Sequence, residues 1–506
     1  VGSFFTHHSR LTTHPINTQE MKLRYKNTFL AVAAGATLLA ATGCRKYLDV
    51  NENPNAPVTA TDNLVLPSTQ AAIAMAVGNN LQVYGGLYSQ YWTQNPTASQ
   101  YKTIEQYNPE PASFDRVWGI LYNDALEDIS LLEQSRNPNY VAIALIQKAY
   151  AFQLLTDAFG DVPLTDALQG NKVLSPAYAP QQQVYDSIFA WTKRGVALAG
   201  TSTTFPAADD LVFGGGASGM SRWKEFGNTL LLRAYLRLSE VAPEKARQGI
   251  QELYASNPTF LTADASISYQ NLGGNQNPLY AEGVGLGRTQ NLVASNTAVN
   301  AYTANNDPRL KAFYTVNTAG DVVGIPQGSY NTQPAVAPTF PAPITGARFT
   351  AATGAVAAAA PVKLISATES YFLQAEAAAR GWGTGNVRAL FEAGIKASFD
   401  ALGLSAAAYE GYVSAAPAAQ LPGDAAGQIK AIITQKYFAL NGFQGFEAWT
   451  EWRRTGYPDF LLKSAASVLG SDALPARLLY PETEITRNSN FPGVKAITDR
   501  VWWDVR

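Results

Sequence analysis

The chain has 506 residues, 46% of them hydrophobic and 11% aromatic, which is the composition of a globular protein. Its formal net charge of −2 gives no electrostatic hold on nucleic acid or anionic lipid. A single cysteine, Cys44, rules out a disulfide within the chain.

Residues 1–20 precede Met21, match no export signal and are read as upstream sequence. Lys22, Arg24 and Lys26 then lead into an uncharged run, 28–43. A basic segment, an apolar run and small residues before a cleavage point predict a signal peptide over 21–43. A membrane-spanning helix needs about 20 strongly apolar residues, and this run is short and diluted by Ala, Gly and Thr. It ends in Ala41-Thr42-Gly43-Cys44, which resembles the lipobox of bacterial lipoproteins, although that motif prefers a branched apolar residue where Ala41 stands. Cys44 is accordingly expected to be acylated, with several acyl chains holding the protein at a membrane.

Cleavage before Cys44 removes four basic residues (Arg10, Lys22, Arg24, Lys26) and one acidic residue (Glu20). The totals of 37 and 39 become 33 and 38, a net charge of −5. It also removes all three histidines, His7, His8 and His14. Without histidine, and with its thiol acylated, the mature chain cannot build Ser-His-Asp or Cys-His catalysis or an ordinary zinc site.

Residues 44–67 follow as lipidated N-terminus and tether, rich in the Asn, Pro and Thr that favour turns. The main domain is expected over 68–506. Helices are predicted at 64–91, overlapping the end of the tether, and at 111–134. Another runs from Asn139 until Gly160 and Pro163 stop it. A further helix is predicted at 181–198. In SRWKEFGNTLLLRAYLRLSEV, Trp223, Phe226, Leu230, Ala234, Leu238 and Val241 recur at steps of three and four, placing them on one face. Ser221 is read there as N-cap, with Arg233 and Arg237 on the surface. The last three helices are predicted at 369–380, 386–402 and 425–440. Between 269 and 368, Gly, Asn, Pro and Ala predict long loops with a few short strands, and loops of such length are usually functional or mobile.

Three motifs look catalytic. GGGASGMS (214–221) has the glycine spacing of a phosphate loop, but Met220 stands where the lysine is needed. GVGLGR lacks the strand and helix that flank a dinucleotide site. EWRRTGYPDF (451–460) clusters Glu451, Arg453 and Arg454 and is read as a structural ion-pair network. Thirty-nine acidic residues always contain pairs, and none is singled out for glycoside hydrolysis.

Eight stretches, in order, resemble the SusD/RagB family of outer-membrane nutrient-binding lipoproteins from Bacteroidetes. They are LDVNENPNAP (48–57), LLTDAFGDVPLTDAL (154–168), VYDSIFAWTKRGVA (184–197), RWKEFGNTLLLRAYLRLS (222–239), NDPRLKAFY (306–314), ESYFLQAEAAARGW (369–382), TQKYFAL with GFEAWTEWRRTGYP (434–458) and RLLYPETE (477–484). The resemblance implies a mainly α fold of tetratricopeptide-like helix pairs with a loop-rich ligand-binding region. It also implies a cell-surface lipoprotein that binds oligosaccharide without catalysis and passes it to a SusC-type TonB-dependent transporter, over which it acts as a lid. No cofactor, metal or nucleic acid is called for. Peptide uptake, glycoside hydrolysis and a purely structural scaffold remain open as alternatives.

Glycan binding needs aromatic faces for sugar C–H groups and amides or carboxylates for hydroxyls. Tyr84, Tyr88 and Tyr91 fall at helical spacing and are read as core. Trp92, Asn95, Gln100 and Tyr101 follow in a turn-rich segment and are candidate ligand contacts. Asn277, Tyr280, Arg288 and Gln290 form a second candidate set, and Tyr330 is a further one.

Overall fold

The computed structural model describes residues 61–506 apart from 286–288 and 349. The signal peptide, Cys44 and the tether up to residue 60 lie outside the described residues, as does Arg288. Thr61–Arg506 forms one unit. Among the described residues, no helix is long and apolar enough to cross a membrane.

The helix expected over 64–91 is two helices, α1 (Asp62–Gly78) and α2 (Asn80–Tyr88). Asn79 breaks them apart with φ −120° and ψ −97°, and its amide donates to Pro278 O at 3.2 Å. Because α1 starts at Asp62, the chain does not stay extended to Pro67. Val65 and Leu66 are buried in the core, and their burial outweighs the hydrogen bond that Pro67 gives up. After α2 come β1 (Trp92–Gln94) and the single turn α3 (Lys102–Glu105). The run predicted at 111–134 is composite. A 3₁₀ turn, a short α segment and a π segment (Ile120–Leu126) precede a last α segment, Glu127–Leu132.

The regular helices agree better. α4 (Pro138–Phe159) is capped by the Asn137 side chain and ends at Gly160, whose φ of +85° suits only a residue without Cβ. α5 (Gln181–Leu198) matches its prediction. α6 (Gly216–Arg237) begins ahead of Ser221, so Ser221 lies inside the helix and is not its cap. α7 (Pro243–Ala255) carried no prediction. Neighbours in this series pack as successive helix pairs: α4 on α5, α5 on α6, α6 on α7. The Phe189 and Tyr235 rings stack between α5 and α6 at 4.1 Å. These pairs give the mainly α, tetratricopeptide-like architecture.

The loop-rich middle is present as expected. Two-residue strands β2 (Val162–Pro163) and β3 (Tyr178–Ala179) pair earlier in the chain, and β4 (Ala265–Ile267) lies just ahead of the region. The short turn α8 (Pro278–Tyr280), β5 (Leu292–Ala294), α9 (Asn296–Ala304) and β6 (Val362–Ile365) follow. β1 pairs antiparallel with β5, and β4 with β6. The C-terminal helices are α10 (Ala367–Ala379), α11 (Val387–Ala401), α12 (Ala406–Ala415), α13 (Ala425–Leu440) and α14 (Gly445–Thr455). Ser366, Asn386 and Asp424 cap α10, α11 and α13 through their side chains.

α2 and α14 cross at backbone contact. A Cβ on Gly85 would sit 2.1 Å from Phe446 N, and one on Gly445 would sit 2.7 Å from Gly86 N. Only glycine permits that approach.

Arg233 and Arg237, expected on the surface, are 3% and 0% exposed. A second layer of helices covers the polar side of α6, so both sides of that helix are interior. Arg237 pairs with Asp157, Glu447 and Glu451. Lys436 pairs with Glu369, Glu447 and Glu451, and Arg454 with Glu376 and Glu451. The EWRR cluster therefore belongs to a buried ion-pair network spanning α4, α6, α10, α13 and α14. Burial raises the pKa of Glu376, Glu447 and Glu451, but their arginine and lysine partners outweigh it and leave all three below the usual range.

The NDPR motif is a second buried clip. Arg309 binds the Asp307 carboxylate through Nε at 3.0 Å and Nη2 at 2.6 Å, and it reaches Gln435 on α13 at 2.9 Å. Asn306 precedes it at φ +47°, a conformation asparagine tolerates.

Candidate functional site

The β1–β5 ladder, Gln94 opposite Leu292, brings two distant loops side by side. Asn95 N donates to Asn291 O at 2.7 Å, and Asn95 Nδ2 donates to Gln290 O at 2.7 Å. Across the same junction Asn291 Nδ2 donates to Gln100 Oε1 at 3.0 Å, while Gln100 N donates to Asn291 Oδ1 at 3.1 Å. Beside this seam lies a slot of about 50 Å³. Tyr101, Tyr280, Gln290, Asn291, Glu282 and Arg348 are among its lining residues.

Four candidates, Gln100, Tyr101, Tyr280 and Gln290, thus meet in one place. Tyr101 is half-buried and its N–H donates to Gln94 Oε1 at 2.7 Å. Tyr280 is held by the α8 turn, whose Asn277 cap accepts from Leu279 N and Tyr280 N. Gln290 Nε2 is buried without a partner among the described residues. Glu282 pairs with Arg116 and also accepts from Asn79 Nδ2 at 3.2 Å.

Four other predicted contacts, Trp92, Asn95, Asn277 and Tyr330, are buried in structural roles. Trp92 is fully buried, its ring lying against Gly86, so it presents no face to a sugar. Asn95 is 6% exposed, and its Oδ1 accepts from Thr97 N and Oγ1 while its amide holds Gln290 O. Asn277 is 3% exposed and spends its side chain on the α8 cap and on Ala360 O at 2.9 Å. Tyr330 is 2% exposed, with Lys102 Nζ 5.1 Å from its ring centre. Turn composition hid these burials, because the side chains of Asn95, Asn277 and Tyr330 serve contacts far along the chain and Trp92 packs back onto α2. Glu282, Asn291 and Arg348 were missed as candidates. Arg348 stands alone in an Ala- and Gly-rich stretch, where no sequence signal marks it.

A wider groove of about 750 Å³ runs between α9 and α13 over Phe438, Phe460 and Leu462. Its rim is largely self-satisfied: Lys430 pairs with Asp459 at 2.6 Å, and Asn305 bonds Ala418 N and Ala301 O. No predicted contact lies in it. The slot, with tyrosine rings and amides at one mouth, is the arrangement suited to reading hydroxyls and C–H faces together.

A family model described as SusD-like_2, starch-binding associating with outer membrane, matches residues 54–481. A solved chitin-binding protein is 25% identical, with 88% of this chain and 100% of that chain covered and a TM-score of 0.73. A chitin-binding SusD homologue from Flavobacterium johnsoniae is 23% identical, covering 87% and 99%, with a TM-score of 0.70. A SusD homologue from Bacteroides uniformis is 22% identical over 87% and 99%, with a TM-score of 0.72. No curated protein matches the chain.

Proposed function

The chain belongs to the SusD-like family, and from that membership we propose that it is a noncatalytic, outer-membrane-associated glycan-binding protein. The observation that carries the reading is the meeting of Tyr101 and Tyr280 with the amides of Gln100, Gln290 and Asn291 in one slot. Tyrosine rings stack on the C–H faces of pyranose rings, and amides donate to and accept from ring hydroxyls. Two relatives of the same fold are chitin-binding proteins, which favours a neutral polysaccharide as ligand class. Among the lining residues of the slot, Glu282 is the one carboxylate, and it is engaged by Arg116. Glycoside hydrolysis needs two carboxylates flanking one bond.

In the cell, Cys44 anchors the mature protein by its acyl chains. Bound oligosaccharide passes to a SusC-type TonB-dependent transporter, which this protein covers as a lid. Handover of this kind needs no chemistry, only binding that weakens when the lid closes.

Partition of the protein onto insoluble chitin and starch, with reducing ends assayed in the supernatant, tests the central part. Retention without released reducing ends is expected. Release of reducing ends overturns the noncatalytic reading, and retention on neither polysaccharide overturns this choice of ligand class. The lid role predicts co-purification with a TonB-dependent barrel from native membranes. A protein that never co-purifies with one contradicts it.

A further inference from the structure

Beneath the slot, Glu105 closes the α3 turn at whose head Tyr101 stands, and it is 1% exposed. Its Oε2 accepts the backbone N–H of Gln94 at 3.1 Å, and its Oε1 accepts Gln327 Nε2 at 2.6 Å. Gln94 carries the connection outward. Its Oε1 accepts the N–H of Tyr101 at 2.7 Å, and its Nε2 lies 3.4 Å from Oδ1 of Asn291. Asn291 in turn grips Gln100. One buried carboxylate thus sits under both walls of the slot.

No cation is paired with Glu105 among the described residues. The groups that face it are Tyr107 and Tyr330, with Tyr88 beyond Tyr107. Lys102, on the same turn, is directed over the Tyr330 ring. An ionised carboxyl here is therefore costly and is held by neutral donors alone. Burial lifts its pKa to about 7, although the Thr93 hydroxyl and the Gln94 N–H pull it down. The neighbourhood also contains an unused acceptor: Gln327 Oε1 is buried without a partner among the described residues, while its Nε2 is shared among Glu105, Leu87 O and Trp92 O. A protonated Glu105 can donate to that oxygen only if the amide turns and gives up its present contacts.

We propose that Glu105 is a positioning residue for the slot: its ionised form holds Gln94, and through Gln94 the Tyr101 and Asn291 walls, in the ligand-binding arrangement, and proton uptake releases them. The proposal rests on the slot being the ligand site. It makes binding stronger on the alkaline side of neutrality and weaker on the acid side.

Backbone and side-chain amide spectra of the purified protein, titrated across neutrality, test it without a ligand. The Gln94 and Tyr101 N–H signals and the Asn291 side-chain amide are expected to shift together, with one midpoint near 7. Glu105→Gln, close in size and without a charge to gain or lose, removes the inflection from all three. In a second arm, affinity for chitohexaose or maltoheptaose falls by about tenfold across the same range in the parent and stays flat in Glu105→Gln. Movement of Gln94 without Tyr101 and Asn291 overturns the proposal, as does parent affinity as flat with pH as that of the variant. If neither sugar binds at any pH while the three amides still titrate together, the glycan reading fails and the positioning role of Glu105 stands.

Discussion

Arg237 Nη2 donates to both carboxylate oxygens of Glu447, each at 2.7 Å, and so ties α6 to α14 in the interior. The same guanidinium holds Asp157 and Glu451, so four charges depend on one another where water cannot reach them.

Arg237→Met keeps most of the volume and removes the charge. Asp157, Glu447 and Glu451 are then left short of a partner, and breaking such a pair on one side costs about 3–5 kcal/mol. Denaturant unfolding at neutral pH should show that loss. Glu447 and Glu451 are held below their unfolded values, so their stabilisation is present above the usual carboxylate range and is lost as pH falls through the lower folded values. Acid unfolding of Arg237→Met should therefore begin at higher pH than that of the parent.

Gly85→Ala places a methyl group into the backbone of α14, at 2.1 Å from Phe446 N and 2.3 Å from Gly445 C. Backbone cannot step aside as a long side chain can, so the two helices must separate. A loss of about 3 kcal/mol is expected, read as a lower unfolding midpoint with native helix content retained. A variant as stable as the parent would show that this crossing is looser than its geometry.

Glu105 titrates in the opposite sense to the ion network. Its folded pKa of about 7 lies above the ordinary 4.5, so the stability linked to its protonated form is complete below the unfolded value and is lost as pH rises through about 7. At about 1.4 kcal/mol per unit, the shift amounts to roughly 3 kcal/mol. The stability of the parent minus that of Glu105→Gln should fall by about this amount between mildly acid and mildly alkaline solution. The difference cancels most other titrations, and a flat difference would place the carboxyl in a wetter site.

Trp92→Ala distinguishes packing from recognition. The indole is fully buried against α2, and removing it should cost about 3–5 kcal/mol through the cavity left behind. Thermal unfolding should register the loss. Ligand affinity measured well below the new midpoint should change less than it does on removal of the half-exposed Tyr280 ring.

Much of this architecture is legible in the residues. α5 and α13 appear over the ranges predicted for them, 181–198 and 425–440. α6 shows where one-sided reasoning ends. Its arginines sit opposite the apolar stripe, which suggests solvent, but helices on both sides make each side interior and charge is met there by charge. The slot was visible only in part. Tyr101, Tyr280 and Gln290 stand in turn-rich stretches where an aromatic ring or an amide has little packing role, and they do line it. Trp92 looked the same by that criterion, yet three residues of strand, too short to show alternation, turn it inward. What gathers the slot is the pairing of β1 with β5, a contact between distant segments that leaves no local trace.

The most direct test is calorimetric titration of the protein and its Tyr280→Ala variant with chitohexaose, maltoheptaose and a set of short peptides. A sugar is expected to bind, with the variant losing about tenfold or more in affinity while its unfolding midpoint barely moves. Sugar binding indifferent to Tyr280, or binding of peptides in place of sugars, would contradict this expectation.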